Sequence, residues 1–178
     1  MGFKQKGLTL IELMVTLAVL AIVVAIAVPG FNTMVANNRT LALGEDIATA
    51  LNFARTEAVK RGARVSLCGS TDGAACDGSF ADNWLVVVDS AASDDAAAVT
   101  VDSVLRQWQA PGTSETVAAT QGGNAVSFIR FTRKGMLGRS ASGAVTINAS
   151  ASGCATARDV TVGISGLLNM AKTTTGCP

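Results

Sequence analysis

Three sets of residues carry the chemical possibilities of this sequence. They are a lone carboxylate, Glu12, inside an apolar run; four cysteines, Cys68, Cys76, Cys154 and Cys177; and a basic cluster, Arg130, Arg133, Lys134 and Arg139. Glu12 is the only charge among the 21 residues from Leu8 to Val28. A carboxylate in a membrane helix costs roughly 3 kcal/mol even after relaxation, and it marks a functional site by default. One account lets Glu12 snorkel to the interface, near a helix N-terminus where negative charge is favoured. A sharper account uses Gly7. Cleavage of the Gly7–Leu8 bond creates a free α-amine on Leu8, four residues from Glu12. An amine and a carboxylate at one end of an apolar helix can pair between neighbouring chains. The pair removes two charges from lipid and sets the axial register of helix on helix.

The other groups point away from catalysis. The chain contains no His, so a Ser or Cys nucleophile has no imidazole base and a metal loses its commonest ligand. No C-x-x-C pair occurs, and the glycines sit at turns, as at Gly122-Gly123, rather than in a phosphate-binding loop. The sequence therefore implies no enzyme, no metal and no cofactor. Four cysteines in an exported domain read as disulfides. They permit three pairings. The local one, Cys68–Cys76 with Cys154–Cys177, is favoured because the first closes the turn CGSTDGAAC and the second ties the chain end back; links such as 68–154 or 76–177 stay open. Chain-entropy arguments assign about 2.5 and 3.5 kcal/mol to the two local links.

Charge is segregated along the chain. Residues 1–64 carry seven basic and four acidic residues, 65–120 one basic and eight acidic, and 121–178 six basic and one acidic. Such segregation marks either complementary docking faces or a solvated surface. The cluster at Arg130, Arg133, Lys134 and Arg139 is a candidate phosphate contact for DNA. The competing account, favoured here, is strand-edge cations that block aggregation.

The elements that position these groups are a long helix and a β-rich domain. Leu8–Val28 is long enough, at about 1.5 Å per residue, to span a hydrocarbon core of about 30 Å. Lys4 and Lys6 on its flank predict a cytoplasmic N-terminus. Residues 31–61 continue the helix with a stripe at Phe31, Met34, Leu41, Ile47, Leu51, Ala54 and Ala58. Pro29 removes one backbone bond and predicts a kink, while Lys60, Arg61 and Gly62 suit a C-terminus. Glu57 and Arg61 form an i,i+4 pair. Beyond Gly62 the spacing predicts eight short strands: 64–68, 84–89, 99–107, 116–120, 125–132, 144–148, 159–164 and 167–171. The fold class is α+β, a long helix packed on an antiparallel sandwich. The loop Ala91–Ala98 is low in complexity and is expected to be mobile. The domain organisation is a leader at 1–7, a helix at 8–61 with its membrane segment at 8–28, and a β domain at 62–178.

The stretch from Lys6-Gly7 through Leu8-Thr9-Leu10-Ile11-Glu12-Leu13-Met14 to Ile22 resembles the class III signal of type IV pilins and type II secretion pseudopilins. The resemblance implies that a prepilin peptidase cuts after Gly7 and methylates Leu8, where most members have Phe. It implies that Glu12 pairs with the N-terminal amine of an adjacent subunit, and Pro29 matches the family's helix proline. Residues 54–68, ARTEAVKRGARVSLC, are similar to the GspH/FimT subgroup, which includes FimU-type minor pilins. The implied role is a non-enzymatic minor pilin that primes pilus assembly in a minor-pilin complex at the tip. Its implied partners are prepilin peptidase, other minor and major pilins, the pilus or secretion assembly platform, and the bacterial inner membrane. It would cross that membrane once, with a periplasmic domain that later reaches the pilus. A type II secretion minor pseudopilin is the alternative. A DNA-binding pilin for transformation is a third reading. Members that take up DNA carry a G-R-x-R motif, and the matching place here, Gly166-Leu167-Leu168-Asn169, lacks both arginines.

Overall fold

The computed structural model of the chain describes residues 9–177. Gly7 and Leu8, the expected processing point, lie outside the described residues. The first element, α1, runs from Leu10 to Arg61 and is 52 residues long, about 78 Å at helical rise. Thr9 opens it as an extended N-cap. Lys60 and Arg61 complement the dipole of its last turn, and Gly62 closes it at φ 59°, a left-handed position that glycine takes without a Cβ penalty. Glu57 pairs with Arg61 at 2.6 Å and Lys60 at 3.3 Å. The Arg61 hydrogen bond, more than the charge of either cation, holds the Glu57 carboxyl below its ordinary pKa.

Among the described residues nine strands follow: β1 Val65–Ser70, β2 Asn83–Asp89, β3 Val101–Trp108, β4 Glu115–Gln121, β5 Asn124–Ala125, β6 Phe128–Phe131, β7 Val145–Ala151, β8 Ala157–Val162 and β9 Leu168–Thr173. They form two antiparallel sheets, in the orders β3-β2-β1-β6 and β5-β4-β7-β8-β9. The expected strand at 125–132 is therefore two strands, one in each sheet. Val126 still donates to Ala119 of β4, whereas the Ser127 carbonyl already accepts from Gly69 at the end of β1. The slip in alternation between Val126 and Phe131 is this change of sheet.

Both sheets meet α1 in one core. Ile47, Leu51, Ala54 and Ala58 pack with Leu67, Trp84 and Phe131 of the first sheet and with Ile147, Val160 and Val162 of the second. The second sheet alternates: Val117 and Ala119 point inward while Ala118 and Thr120 are exposed, the pattern of a sheet with one wet face. The first sheet does not alternate. Every residue of β1 and β6 is buried, because Leu85, Val87, Phe128 and the Cys68 link form a second, smaller core on its far face.

The helix stripe differs from its expected start. The buried face runs through Ala36, Thr40, Leu43, Ile47, Leu51, Ala54 and Ala58. Phe31 and Met34 are 65% and 61% exposed, and Leu41 is half-buried. Among the described residues Ala36 is the first on the helix to be buried, and every residue from Leu10 to Phe31 is exposed. At that base Asn37 accepts hydrogen bonds from the backbone N–H groups of Ala155 and Thr156, at 2.9 and 3.2 Å, and so ties the β7–β8 loop to α1.

The Cys68–Cys76 loop folds back on β1, with Gly78 donating to the Gly69 carbonyl. A Cβ at Gly69 would collide with the backbone carbonyl of Ser79. Gly69→Ala is expected to cost about 1–3 kcal/mol by overpacking and to lower Tm by several degrees. Thermal unfolding of the full chain in detergent micelles measures it; an unchanged Tm would mean that the loop yields without cost.

Candidate functional site

The chemistry anticipated from the sequence falls at three places. The first is the start of α1. The Thr9 side chain accepts from the Glu12 N–H at 3.3 Å. The Glu12 carboxylate accepts in return, through Oε2, from the Thr9 N–H at 2.9 Å and the Thr9 hydroxyl at 2.8 Å. This capping box satisfies two of the donors that a helix start leaves open. It also explains a carboxylate in an apolar run without any partner chain. Oε1 accepts no hydrogen bond from a described residue. Leu10 and Ile26 are each 75% exposed, and every residue from Leu10 to Phe31 is uncovered. The helix is long and apolar enough to cross a membrane. It runs unbroken through Pro29, whose carbonyl accepts from the Thr33 hydroxyl at 3.2 Å.

The second place is the pair of disulfides. Cys68 is joined to Cys76 and Cys154 to Cys177, with Cα–Cα separations of 5.5 and 5.6 Å. The first loop is further braced by Asp72, which accepts from the N–H groups of Ala74 and Ala75, and by Asp77, which accepts from the Thr71 N–H and hydroxyl. These bonds hold both carboxyls below the usual carboxylate pKa. The second disulfide fastens the chain end to the β7–β8 loop, just above Asn37.

The third place is the basic cluster, and it divides. Arg130 is 1% exposed and is not a DNA contact. Its Nε meets Asp89 Oδ2 at 2.6 Å, both side chains being fully buried. Its Nη1 donates to the carbonyls of Asp94 and Ala96, and its Nη2 to that of Ala98. The guanidinium also lies 5.0 Å from the Phe128 ring centroid. These bonds tie the 91–98 segment to β6; Ala91 is buried, and most of the remaining segment is exposed. A phosphate cannot reach this guanidinium. Arg133, Lys134 and Arg139 do come together, around a recess of about 390 Å³. Asp94 and Asp95 share its lining, and Arg64 there is already paired with Asp94. The recess is thus of mixed sign. Gly166, where the arginine motif would begin, sits in the β8–β9 turn at φ 77°.

Arg64, Asp89 and Asn37 were not singled out from the sequence. A signal existed for Asp89: an acid ends the apolar run WLVVVD, and Arg130 stands between Ile129 and Phe131 in another apolar run. Two opposite charges in two apolar strands call for each other. Burial alone would raise the Asp89 carboxyl. Hydrogen bonds from Arg130, the Ser66 hydroxyl, and the Thr100 and Ala91 N–H groups outweigh it and hold the pKa below 3.8.

Comparisons with known proteins agree with this architecture. The family model described as type II transport protein GspH matches residues 43–167, and the prokaryotic N-terminal methylation motif matches residues 2–28. No curated protein matches the chain. The fold is similar to that of the type IV minor pilin FimU of Pseudomonas aeruginosa (strain PAO1). In one crystal form of that protein the TM-score is 0.59 at 18% identity, covering 79% of this chain and 93% of that one. In a second form the TM-score is 0.55 at 19% identity, covering 78% and 96%. The minor pseudopilin EpsH of the Vibrio cholerae type 2 secretion system gives 0.50 at 12% identity, covering 75% and 96%.

The Asp89–Arg130 pair makes a stability prediction. Asp89→Ala strands a buried guanidinium and is expected to cost about 3–5 kcal/mol, read by denaturant unfolding of the full chain in micelles. The folded pKa of Asp89 is depressed, so its contribution is complete above its ordinary value of 3.8 and is lost as pH falls through the lower folded value. Asp89→Asn should flatten the acid limb of the stability curve. A variant as acid-sensitive as the wild type would assign that limb to other carboxyls.

Proposed function

This chain belongs to the GspH family, and on that premise we propose that it is a minor type IV pilin, one of a complex of minor pilins that primes pilus assembly at the tip. Residues 1–7 are then a leader. Prepilin peptidase cuts at Gly7–Leu8 and methylates Leu8, and segment 8–28 holds the subunit in the inner membrane. The N-terminus is cytoplasmic and residues 62–178 fold in the periplasm, where the disulfides form. On assembly α1 leaves lipid for the filament core, and the β domain offers its surface to other pilins. The role is structural and no reaction is catalysed.

One observation carries the reading: the uncovered apolar half of α1, with Glu12 as its single charge. So long a surface is stable in lipid or against other such helices, and not in water. The capping box supports the role of Glu12 as well. Thr9 holds one carboxylate oxygen in place and leaves Oε1 for the α-amine of an adjacent subunit's Leu8. An ion pair in lipid replaces two costly charges with one neutral unit, and it forms only when two helices share a register.

A minor pseudopilin of type II secretion is the second reading, supported by the likeness to EpsH. Pilus genes or secretion genes beside this one would separate the two. No feature of the recess favours DNA. Its cations face Asp94 and Asp95, and Arg130 is consumed.

Gly7→Val is expected to leave full-length precursor in the membrane, read by mass spectrometry. Normal maturation would count against the signal. Glu12→Ala is expected to give a cleaved, folded protein whose recovery in sheared filaments falls about tenfold or more, the scale of one lost charge-assisted bond. Wild-type recovery would make the amine–carboxylate pair dispensable.

A further inference from the structure

The base of the β domain holds a cation with a buried nitrogen that finds no acceptor among the described residues. Arg158 in β8 is 8% exposed. Its Nη1 is buried and has no hydrogen-bond partner among the described residues. Lys172 of β9 is its direct cross-strand neighbour, so the two side chains leave the sheet on one face. Neither is among the ion pairs of the described residues. The Arg158 stem crosses α1 at Gly44, where a Cβ would stand 3.1 Å from the Arg158 Cβ and 3.3 Å from the Met170 Sδ. Leu41, Met170 and Ala171 complete a recess of about 230 Å³ around the two cations.

The chemistry of this recess is one-sided. A buried donor without an acceptor costs about 1–3 kcal/mol, and more when charged. Like charges directly opposite on paired strands destabilise further. A single oxyanion relieves both. The walls at Leu41 and Met170 are apolar, which suits the methylenes of an acidic side chain better than a fully hydrated ion. β9 is the edge strand of its sheet, and Met170 is 41% exposed, so an incoming group meets an open rim.

We propose that Arg158 and Lys172 receive the carboxylate of an acidic side chain from a neighbouring subunit. The site lies beside α1 at Leu41 and Gly44, about three to four turns above Phe31, where the uncovered run ends. The proposal rests on the assembly reading above. It adds a second register point to Glu12, on the domain rather than in the membrane. Segregated charge supplies ligands of this kind: residues 65–120 of this chain alone carry eight acids against one arginine.

The test uses the full chain in detergent micelles, titrated with acetate and, separately, with inorganic phosphate, while the amide signals of Arg158 and Lys172 are followed by NMR. Arg158→Met keeps an unbranched stem against Gly44 and removes the guanidinium; Lys172→Met removes the amine. Acetate is expected to give saturable shifts in the wild type, weakened about tenfold or more in either variant. In cells, Lys172→Glu is expected to be matured normally and recovered from sheared filaments at about a tenth of the wild-type level. No acetate binding, or binding unchanged in both variants, overturns the site. Phosphate binding without acetate binding, together with normal recovery of Lys172→Glu, overturns the subunit as donor in favour of a free anion. If acetate binds but the wild type itself never enters filaments, the assembly reading falls and the neighbouring subunit falls with it as donor.

Discussion

The rest of the structure depends on one uncovered surface. From Leu10 to Phe31 the helix presents apolar side chains on all sides, with no sheet beside it. From Ala36 onward the same unbroken helix narrows to a single buried stripe with polar residues elsewhere. The change occurs within about one turn and without a cap, beside Asn37, where the β7–β8 loop is hydrogen-bonded to the helix. Below that point the chain has no means of hiding its own surface. Lipid and other helices are the environments that can do so, and the proposed subunit would use each in turn.

On that proposal, the domain must keep its shape while the helix changes environment. The two sheets share one core with the upper half of α1, so anchor and domain are mechanically continuous. The far face of the first sheet is closed by the 91–98 segment, held by Arg130 and Asp89. Buried ion pairs are not reliable sources of net stability, but breaking one is costly. Here the pair fixes where an alanine-rich loop of little intrinsic preference must lie. The disulfides do similar work at the domain's two margins, one beside β1 and one at the chain end.

Much of this was legible in the sequence, for identifiable reasons. The apolar run, Glu12, the C-terminal cap at Gly62 and the β-rich remainder are local signals, and each depends on only a few neighbouring residues. The misreadings are of long-range facts. Phe31 and Met34 continue the helical spacing of the buried stripe, but spacing does not say where the sheet stops. Val126 to Phe131 reads as one strand because nothing local marks a change of partner. Arg130 groups with Arg133 and Lys134 in sequence, yet alternation along β6 turns its side chain toward Asp89 while the other two follow the strand's end. The tie between 91–98 and β6 was not legible for the same reason: its donors come from a residue over 30 positions away. Arg158 was part of a charge count and nothing more, because its isolation is visible only once β8, β9 and α1 are together.

In the proposed assembly the lower helix leaves lipid, and the water at the membrane's edge, for burial against other subunits. A Met34→Cys variant tests it most directly, since Met34 is 61% exposed in the single chain and lies just beyond the membrane segment. Labelling with a membrane-impermeant maleimide should be rapid in membrane-bound subunits and suppressed about tenfold or more in sheared filaments, with full labelling restored when those filaments are denatured. Equal labelling of the membrane-bound and filament forms would contradict the account.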